Sequence, residues 1–116
     1  DNVEDVQKRS YNASMTIYDE ADTTINAWAK ANVKKLFVEW AGEQARFAYL
    51  PGLRPFECFQ ISIEPPVSGH IAVNAHSIDT DDGSEFEQRW EGRLEDLSVM
   101  LENATSAVRG WANRPS

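Results

Sequence analysis

The chain has 116 residues, 41% hydrophobic and 26% charged, which is typical of one globular domain with its own core. Nineteen acidic and eleven basic residues give a formal net charge of −8, which argues against direct nucleic-acid binding because phosphate contacts require Lys and Arg. The single cysteine, Cys58, excludes an intramolecular disulfide and a zinc site built from several thiolates.

No segment has the composition of a membrane span or of a secretory signal peptide. Apolar runs stay well below the roughly 20 residues that cross a bilayer, and the first residues lack a basic region followed by an apolar one. We therefore expect a cytoplasmic protein that does not contact membranes.

We interpret residues 1–116 as a single domain, since no linker, internal repeat or low-complexity segment divides them. The first residue is Asp1 and the first methionine is Met15, so residues 1–14 are compatible with a processed or upstream extension. For residues 1–18 the pattern fits either a helix that continues into the next segment or a short strand, and we favour the helix.

The segment that follows predicts an N-terminal helix. Its apolar face recurs at steps of three and four residues, through Tyr18, Ala21, Ile25, Trp28 and Asn32. Acidic residues at its beginning suit the positive end of a helix dipole.

Two period-two patterns predict a first hairpin, over residues 35–40 and 44–49. Gly42-Glu43 between them suits a type II′ turn, which takes Gly at its first loop position. This turn places Glu39 opposite Arg46 and Val38 opposite Phe47, so that opposite charges face each other and apolar side chains do the same.

A second hairpin is predicted over residues 58–64 and 70–76. Ile61, Ile63, Ile71 and Val73 form its apolar face. A symmetric closure about the connecting Pro65-Pro66-Val67-Ser68-Gly69 segment pairs Cys58 with His76, Gln60 with Asn74 and Ser62 with Ala72. The opposite face of the sheet is then small and polar, with Phe37 and Ala48 completing it.

A long C-terminal helix is the next prediction. Ser84 and Glu87 match the S-x-x-E capping box. Apolar residues then recur at steps of three and four, through Phe86, Trp90, Leu94, Leu97, Leu101, Ala104, Val108 and Trp111. Gly110 provides an end signal, which gives a helix of about 26 residues and a length of roughly 39 Å.

These elements predict an α+β fold in the order αββββα. Two helices cover one face of a four-stranded antiparallel sheet, and the result is a two-layer sandwich. Apolar residues at the start of the C-terminal helix, namely Phe86, Trp90, Leu94, Leu97 and Leu101, are expected to pack on Val38, Phe47, Ile61 and Val73.

Most of the net charge lies in residues 79–102, here called the acidic segment, which holds nine acidic and two basic residues. On a helix, Glu87, Glu91 and Glu95 share one exposed face, largely without basic neighbours. A one-signed surface of this kind steers a basic partner, although it also fits a merely solvated face. The residues predicted to bind a partner are Asp79, Asp81, Asp82, Glu87, Glu91, Glu95 and Glu102.

The leading hypothesis is therefore a non-catalytic module that binds a basic protein, as bacterial immunity proteins and secretion chaperones are small acidic single domains of this general kind. One alternative is an enzyme in which His76 activates the Cys58 thiol and Asn74 orients the pair. Another is a small-ligand binder with a cavity between helices and sheet. We expect no cofactor and no metal site, and a homodimer formed through the polar sheet face.

Overall fold

The structure is a computed structural model that describes residues 16–115. The elements in chain order are α1 (Asp19–Asn32), β1 (Phe37–Trp40), β2 (Glu43–Pro51), β3 (Cys58–Ile63), β4 (His70–Asp79), β5 (Glu87–Arg93), a 3₁₀ turn (Leu94–Asp96) and α2 (Leu97–Ala112). The strands form one antiparallel sheet in chain order. The α+β class, the antiparallel sheet and a helix at each end are confirmed, but the sheet has five strands and not four.

Helix α1 follows the predicted apolar spacing. Ala21, Ile25 and Trp28 are buried, and acidic residues occupy its first turn. The backbone N–H of Thr16 donates to the Asp19 carboxylate at 2.9 Å, which closes a turn directly before the helix. The predicted extension of this helix into residues 1–15 lies outside the described part of the chain.

The predicted register of the first hairpin is wrong. The turn is Ala41-Gly42, where both residues have positive φ, at 55° and 83°, as a type I′ turn requires. Trp40 therefore lies opposite Glu43, and an irregularity in β1 brings Phe37 opposite Phe47. The two faces of β2 are exchanged relative to the prediction.

The second hairpin contains both predicted strands, but its register is shifted by two residues. Ser68 and Gly69 have positive φ, at 52° and 78°, and they form a tight turn between Val67 and His70. Gln60 thus lies opposite His76, and Ser62 lies opposite Asn74. Since the shift is an even number of residues, each side chain stays on its predicted face.

The predicted C-terminal helix begins too early, because residues 87–93 are the edge strand β5 and α2 begins only at Leu97. Ser84 is not a helix cap, and its backbone N–H donates to Asp82 within the connection between β4 and β5. Gly92 lies close against α2, since a Cβ on it would meet the Met100 sulfur at 3.3 Å.

The core lies between one face of the sheet and the two helices. Its sheet residues are Ala48, Leu50, Phe59, Ile61, Ile63, Ile71, Val73 and Ala75, and its helical residues include Ile25, Trp28, Leu97, Leu101 and Val108. The predicted contribution of Ile61 and Val73 is confirmed. Val38 and Phe47 do not belong to this core, because Val38 is exposed and Phe47 lies on the opposite face. A hydrogen bond of 2.8 Å from the Trp28 indole to Thr105 joins the two helices.

Leu97→Ala should lower the free energy of unfolding by about 2–5 kcal/mol, because the Leu97 side chain is 1% exposed within this core. Leu53→Ala removes the same atoms from a side chain that is 73% exposed, and it serves as the control. Urea unfolding measures both variants. Equal effects of the two substitutions would contradict the packing of α2 described above.

Candidate functional site

The sheet face opposite the helices, here called the open face, carries a cluster of four aromatic residues at the β1–β2 end. In this aromatic cluster, Phe37 stacks on Phe47 with ring centroids 5.1 Å apart and planes 7° apart. The rings of Trp40 and Tyr49 each make an edge-to-face contact with the Phe47 ring, with centroids 6.0 Å and 5.8 Å from it. Phe47 is only 6% exposed as a result, whereas Trp40 is 68% exposed.

A shallow apolar groove of about 450 Å³ runs from this cluster across the sheet. Its lining includes Trp40, Phe47 and Tyr49, the small polar side chains of β3, and Ile78 at its far side. Exposed aromatic side chains with an apolar body are the anchors that protein interfaces use most. The groove therefore has the shape and chemistry of a site for an apolar side chain of a partner.

An acidic cleft of about 710 Å³ lies beside this groove, at the end of the β4–β5 hairpin. Asp79, Glu85 and Glu87 contribute carboxylates to its lining, and Ile78 lines both the cleft and the apolar groove. Among residues 16–115, these three carboxylates form no ion pair with Lys or Arg. The cleft is thus a concave surface whose negative charge has no basic counterpart within the described part of the chain.

A polar cluster occupies the other end of the open face. Arg89 on β5 pairs with Glu64, and it donates to the Glu91 carboxylate at 2.7 Å and to the Asn74 side-chain oxygen at 3.1 Å. These contacts lower the pKa of Glu64, first through the Arg89 hydrogen bond and then through that of Asn74. Glu64 and Glu91 therefore share the Arg89 guanidinium as their ion-pair partner.

Glu87, Glu91 and Glu95 do not share one helix face, and this part of the prediction is wrong. Glu87 and Glu91 lie on β5, Glu95 lies in the 3₁₀ turn, and Glu102 lies on α2. Of the seven acidic residues predicted to bind a partner, only Asp79 and Glu87 line the acidic cleft.

The other predicted partner-binding carboxylates have internal roles or lie elsewhere. Asp82 pairs with Arg114 at 2.8 Å, and Glu95 lies 3.3 Å from Arg93. Asp81 is exposed beside the cleft, and its backbone N–H donates to Glu57. Glu85 was not among the predicted residues, although its position two residues before Glu87 places both on one side of an extended chain.

A buried ion-pair network, which the sequence did not indicate, holds the connection that carries Asp81 and Asp82. Glu57 is buried, and its carboxylate accepts from Arg114 at 2.6 Å and from the Asp81 backbone N–H at 3.1 Å. A Cβ on Gly52 would lie 2.5 Å from the Glu57 side chain, so only glycine fits there. The Arg114 hydrogen bond, with help from that of Asp81, lowers the pKa of Glu57 despite its burial.

The stabilisation that Glu57 provides should be lost in acid. Because its folded-state pKa lies below the ordinary value, the contribution is complete above that value and disappears as pH falls through the folded-state pKa. Urea midpoints measured from pH 7 to pH 3 should therefore fall toward low pH. Glu57→Gln should lower the midpoint at pH 7 and flatten this decline, because it removes the buried carboxylate that titrates and leaves Arg114 with only the more exposed Asp82 as a charged partner. Glu20→Gln, at an exposed position, should leave the profile as in the wild type, and a Glu57→Gln profile as steep as that of the wild type would contradict the assignment.

The predicted pairing of Cys58 with His76 is wrong. Cys58 lies opposite Asp79, and His76 lies opposite Gln60. Burial raises the pKa of the Cys58 thiol, and the Asp79 carboxylate raises it further. Asn74 is hydrogen-bonded to Glu64. The three residues of the enzyme hypothesis are therefore not assembled, and the surroundings of Cys58 disfavour a thiolate nucleophile.

A small-ligand site between the helices and the sheet was the other alternative. That region is occupied by the buried apolar side chains of the core. A cleft of about 620 Å³ at the end of α1 is lined by residues that include Lys34, Tyr49 and Cys58, and one of about 410 Å³ lies between α1 and α2. Within residues 16–115, no group of three or more His, Cys, Asp or Glu side chains is placed to hold a metal ion.

Cys58 should react slowly with iodoacetamide at pH 7, more slowly than glutathione does, because its raised pKa leaves little thiolate. Asp79→Asn should accelerate the reaction by removing the neighbouring negative charge. His76→Ala should leave the rate unchanged, because His76 does not face Cys58. A fast reaction that requires His76 would restore the catalytic hypothesis. The rates follow from mass spectrometry of quenched samples.

Comparison of the chain with protein-family models, with curated proteins and with solved structures gave no match. Neither α1 nor α2 is long and apolar enough to cross a membrane, and these are the α-helices of the described residues.

Proposed function

We propose that this protein is a non-catalytic module that binds a basic partner protein through the open face of its sheet. The partner would place an apolar or aromatic side chain in the groove beside Trp40 and Lys or Arg side chains in the acidic cleft. The observation that carries this proposal is the continuity of the two concavities, which meet at Ile78.

The aromatic cluster supports the proposal because folding does not account for its exposure. Phe47 is covered by its aromatic neighbours, yet Trp40 and Ile78 remain 68% and 46% exposed next to it. Large side chains left exposed around a concave surface are typical of binding sites, whereas isolated exposed apolar residues are not. Trp is also the residue type most enriched among the side chains that dominate binding energies.

The acidic cleft supports the choice of a basic partner. Asp79, Glu85 and Glu87 stand without a basic counterpart among the described residues, while Glu64, Glu91 and Asp82 each have an Arg partner. Uncompensated charge of one sign accelerates the encounter with an oppositely charged protein more than it strengthens the final complex. The proposed acidic binding surface is therefore the cleft with its three carboxylates, which is smaller than the set of seven residues predicted from the sequence.

The experiment first isolates partners from the source lysate with the wild-type protein and with Trp40→Ala as bait. A protein that the wild type retains and Trp40→Ala loses is then purified for kinetic measurement by surface plasmon resonance. We expect Trp40→Ala to increase the dissociation rate by tenfold or more, because it removes a central anchor.

The charge contribution is tested with Asp79→Asn/Glu85→Gln. This variant should slow association by roughly threefold or more at low salt and weaken its dependence on salt, because exposed charges are screened over about 8–10 Å at 0.10–0.15 M. Glu20→Gln/Glu102→Gln carries the same change of charge on the two helices and is the matched control. The proposal would be contradicted by an association rate that changes neither with salt nor in Asp79→Asn/Glu85→Gln. A partner footprint on the helices would contradict it as well.

A further inference from the structure

We propose that the outer edge of β5 binds the β5 edge of a second copy of this chain, which joins two sheets into one continuous ten-stranded sheet. Three features of β5 support this proposal: outer backbone groups that no described strand pairs with, the order of its charges, and the position of α2 above it. This surface is distinct from the groove and the acidic cleft, apart from Glu87 at its end.

The outer edge of β5 carries a row of backbone groups that no other strand of residues 16–115 pairs with. The hydrogen bonds from the Ser77 N–H to the Phe86 carbonyl and from the Leu94 N–H to the Gly69 carbonyl show that even-numbered residues face β4. In an antiparallel ladder the alternate residues point their N–H and C=O groups away from the partner strand. The odd-numbered residues Glu87, Arg89, Glu91 and Arg93 therefore present these groups outward, along a strand that is exposed or half-buried throughout.

The charges along this edge are self-complementary. On the open face, β5 carries the order Glu87, Arg89, Glu91, Arg93. When a second β5 runs antiparallel about Trp90, Glu87 lies opposite the partner's Arg93, and Arg89 lies opposite the partner's Glu91. Four pairs of opposite charge result, and the same odd-numbered residues exchange about eight backbone hydrogen bonds.

Neighbouring registers are disfavoured by the same residues. A slip by two residues in one direction places Glu87 opposite the partner's Glu91 and Arg89 opposite Arg89. A slip in the other direction places Glu91 opposite Glu91 and Arg89 opposite the partner's Arg93. Like charges directly opposite one another destabilise a strand pair, so the charge order selects one symmetric register.

The position of α2 is compatible with this register. Helix α2 packs over β4 and β5, so its axis lies about one strand spacing, roughly 5 Å, from the proposed twofold axis. The two copies of α2 would then lie about 10 Å apart, a normal packing distance for helices. Thr105 and Arg109 bond to α1, so helical geometry places Met100, Asn103, Ala107 and Trp111 on the opposite flank of α2. Of these, Met100 lies against Gly92 of β5, and Asn103 and Ala107 are small enough for that approach.

The test uses two reciprocal charge reversals, Glu87→Arg and Arg93→Glu, and sedimentation velocity at micromolar concentration. The wild type should sediment as a dimer of two 13.1 kDa chains. Each reversal alone creates two like-charge pairs per dimer and should raise the dissociation constant about tenfold or more. Glu102→Arg and Lys30→Glu make the same changes of charge on the helices and should remain dimeric.

Rescue distinguishes this interface from a general effect of charge. Mixing Glu87→Arg with Arg93→Glu should restore a dimer that contains one chain of each, because every reversed residue then meets an opposite charge. The double variant Glu87→Arg/Arg93→Glu should likewise form a homodimer. A monomeric wild type, single variants that dimerise as the wild type does, or a mixture that stays monomeric would each overturn the proposal. None of these measurements involves the basic partner, so they stand apart from the proposed function.

Discussion

Helices α1 and α2 lie side by side on one face of a five-stranded sheet, and the hydrogen bond between Trp28 and Thr105 fixes them together. Two helices packed at about 10 Å cover roughly four strands, and no other element of residues 16–115 covers the opposite face of the sheet. The side chains on that face must therefore be compatible with contact to water or to a partner. The aromatic cluster, the acidic cleft and the Arg89 cluster are three different solutions to this one constraint.

The spacing of apolar residues predicted α2 correctly only from Leu97 onward, where steps of three residues begin to alternate with steps of four. Phe86, Trp90 and Leu94 are four residues apart, and a step of four keeps side chains on one side of a strand as well as of a helix. The first step of three, from Leu94 to Leu97, is incompatible with a strand face, and the helix indeed begins there. Gly92, which is unfavourable within a helix, was the local signal that opposed the longer helix.

The same ambiguity explains why the acidic residues were recognised but their setting was not. Glu87 and Glu91 share a face in either conformation, but Arg89 lies between them only in a strand. A helix would have left these carboxylates uncompensated, whereas the strand brings Arg89 beside Glu91 and Glu64. The hairpin registers depended on Ala41-Gly42 and Ser68-Gly69, where the glycine takes the second position of the turn. Composition alone does not place a turn to within one residue.

The meander order of the sheet also bears on how the chain reaches its native state. Every strand pairs with its neighbour in the chain, so each hairpin closes a short loop at small entropic cost. The contact between α1 and α2 joins residues that are 77 positions apart in the chain. Its formation therefore carries a larger loop-closure entropy cost than the hairpins do. Until both helices dock, the large apolar side chains of β3 and β4 have no cover. Helix docking is thus the event on which solubility during folding depends.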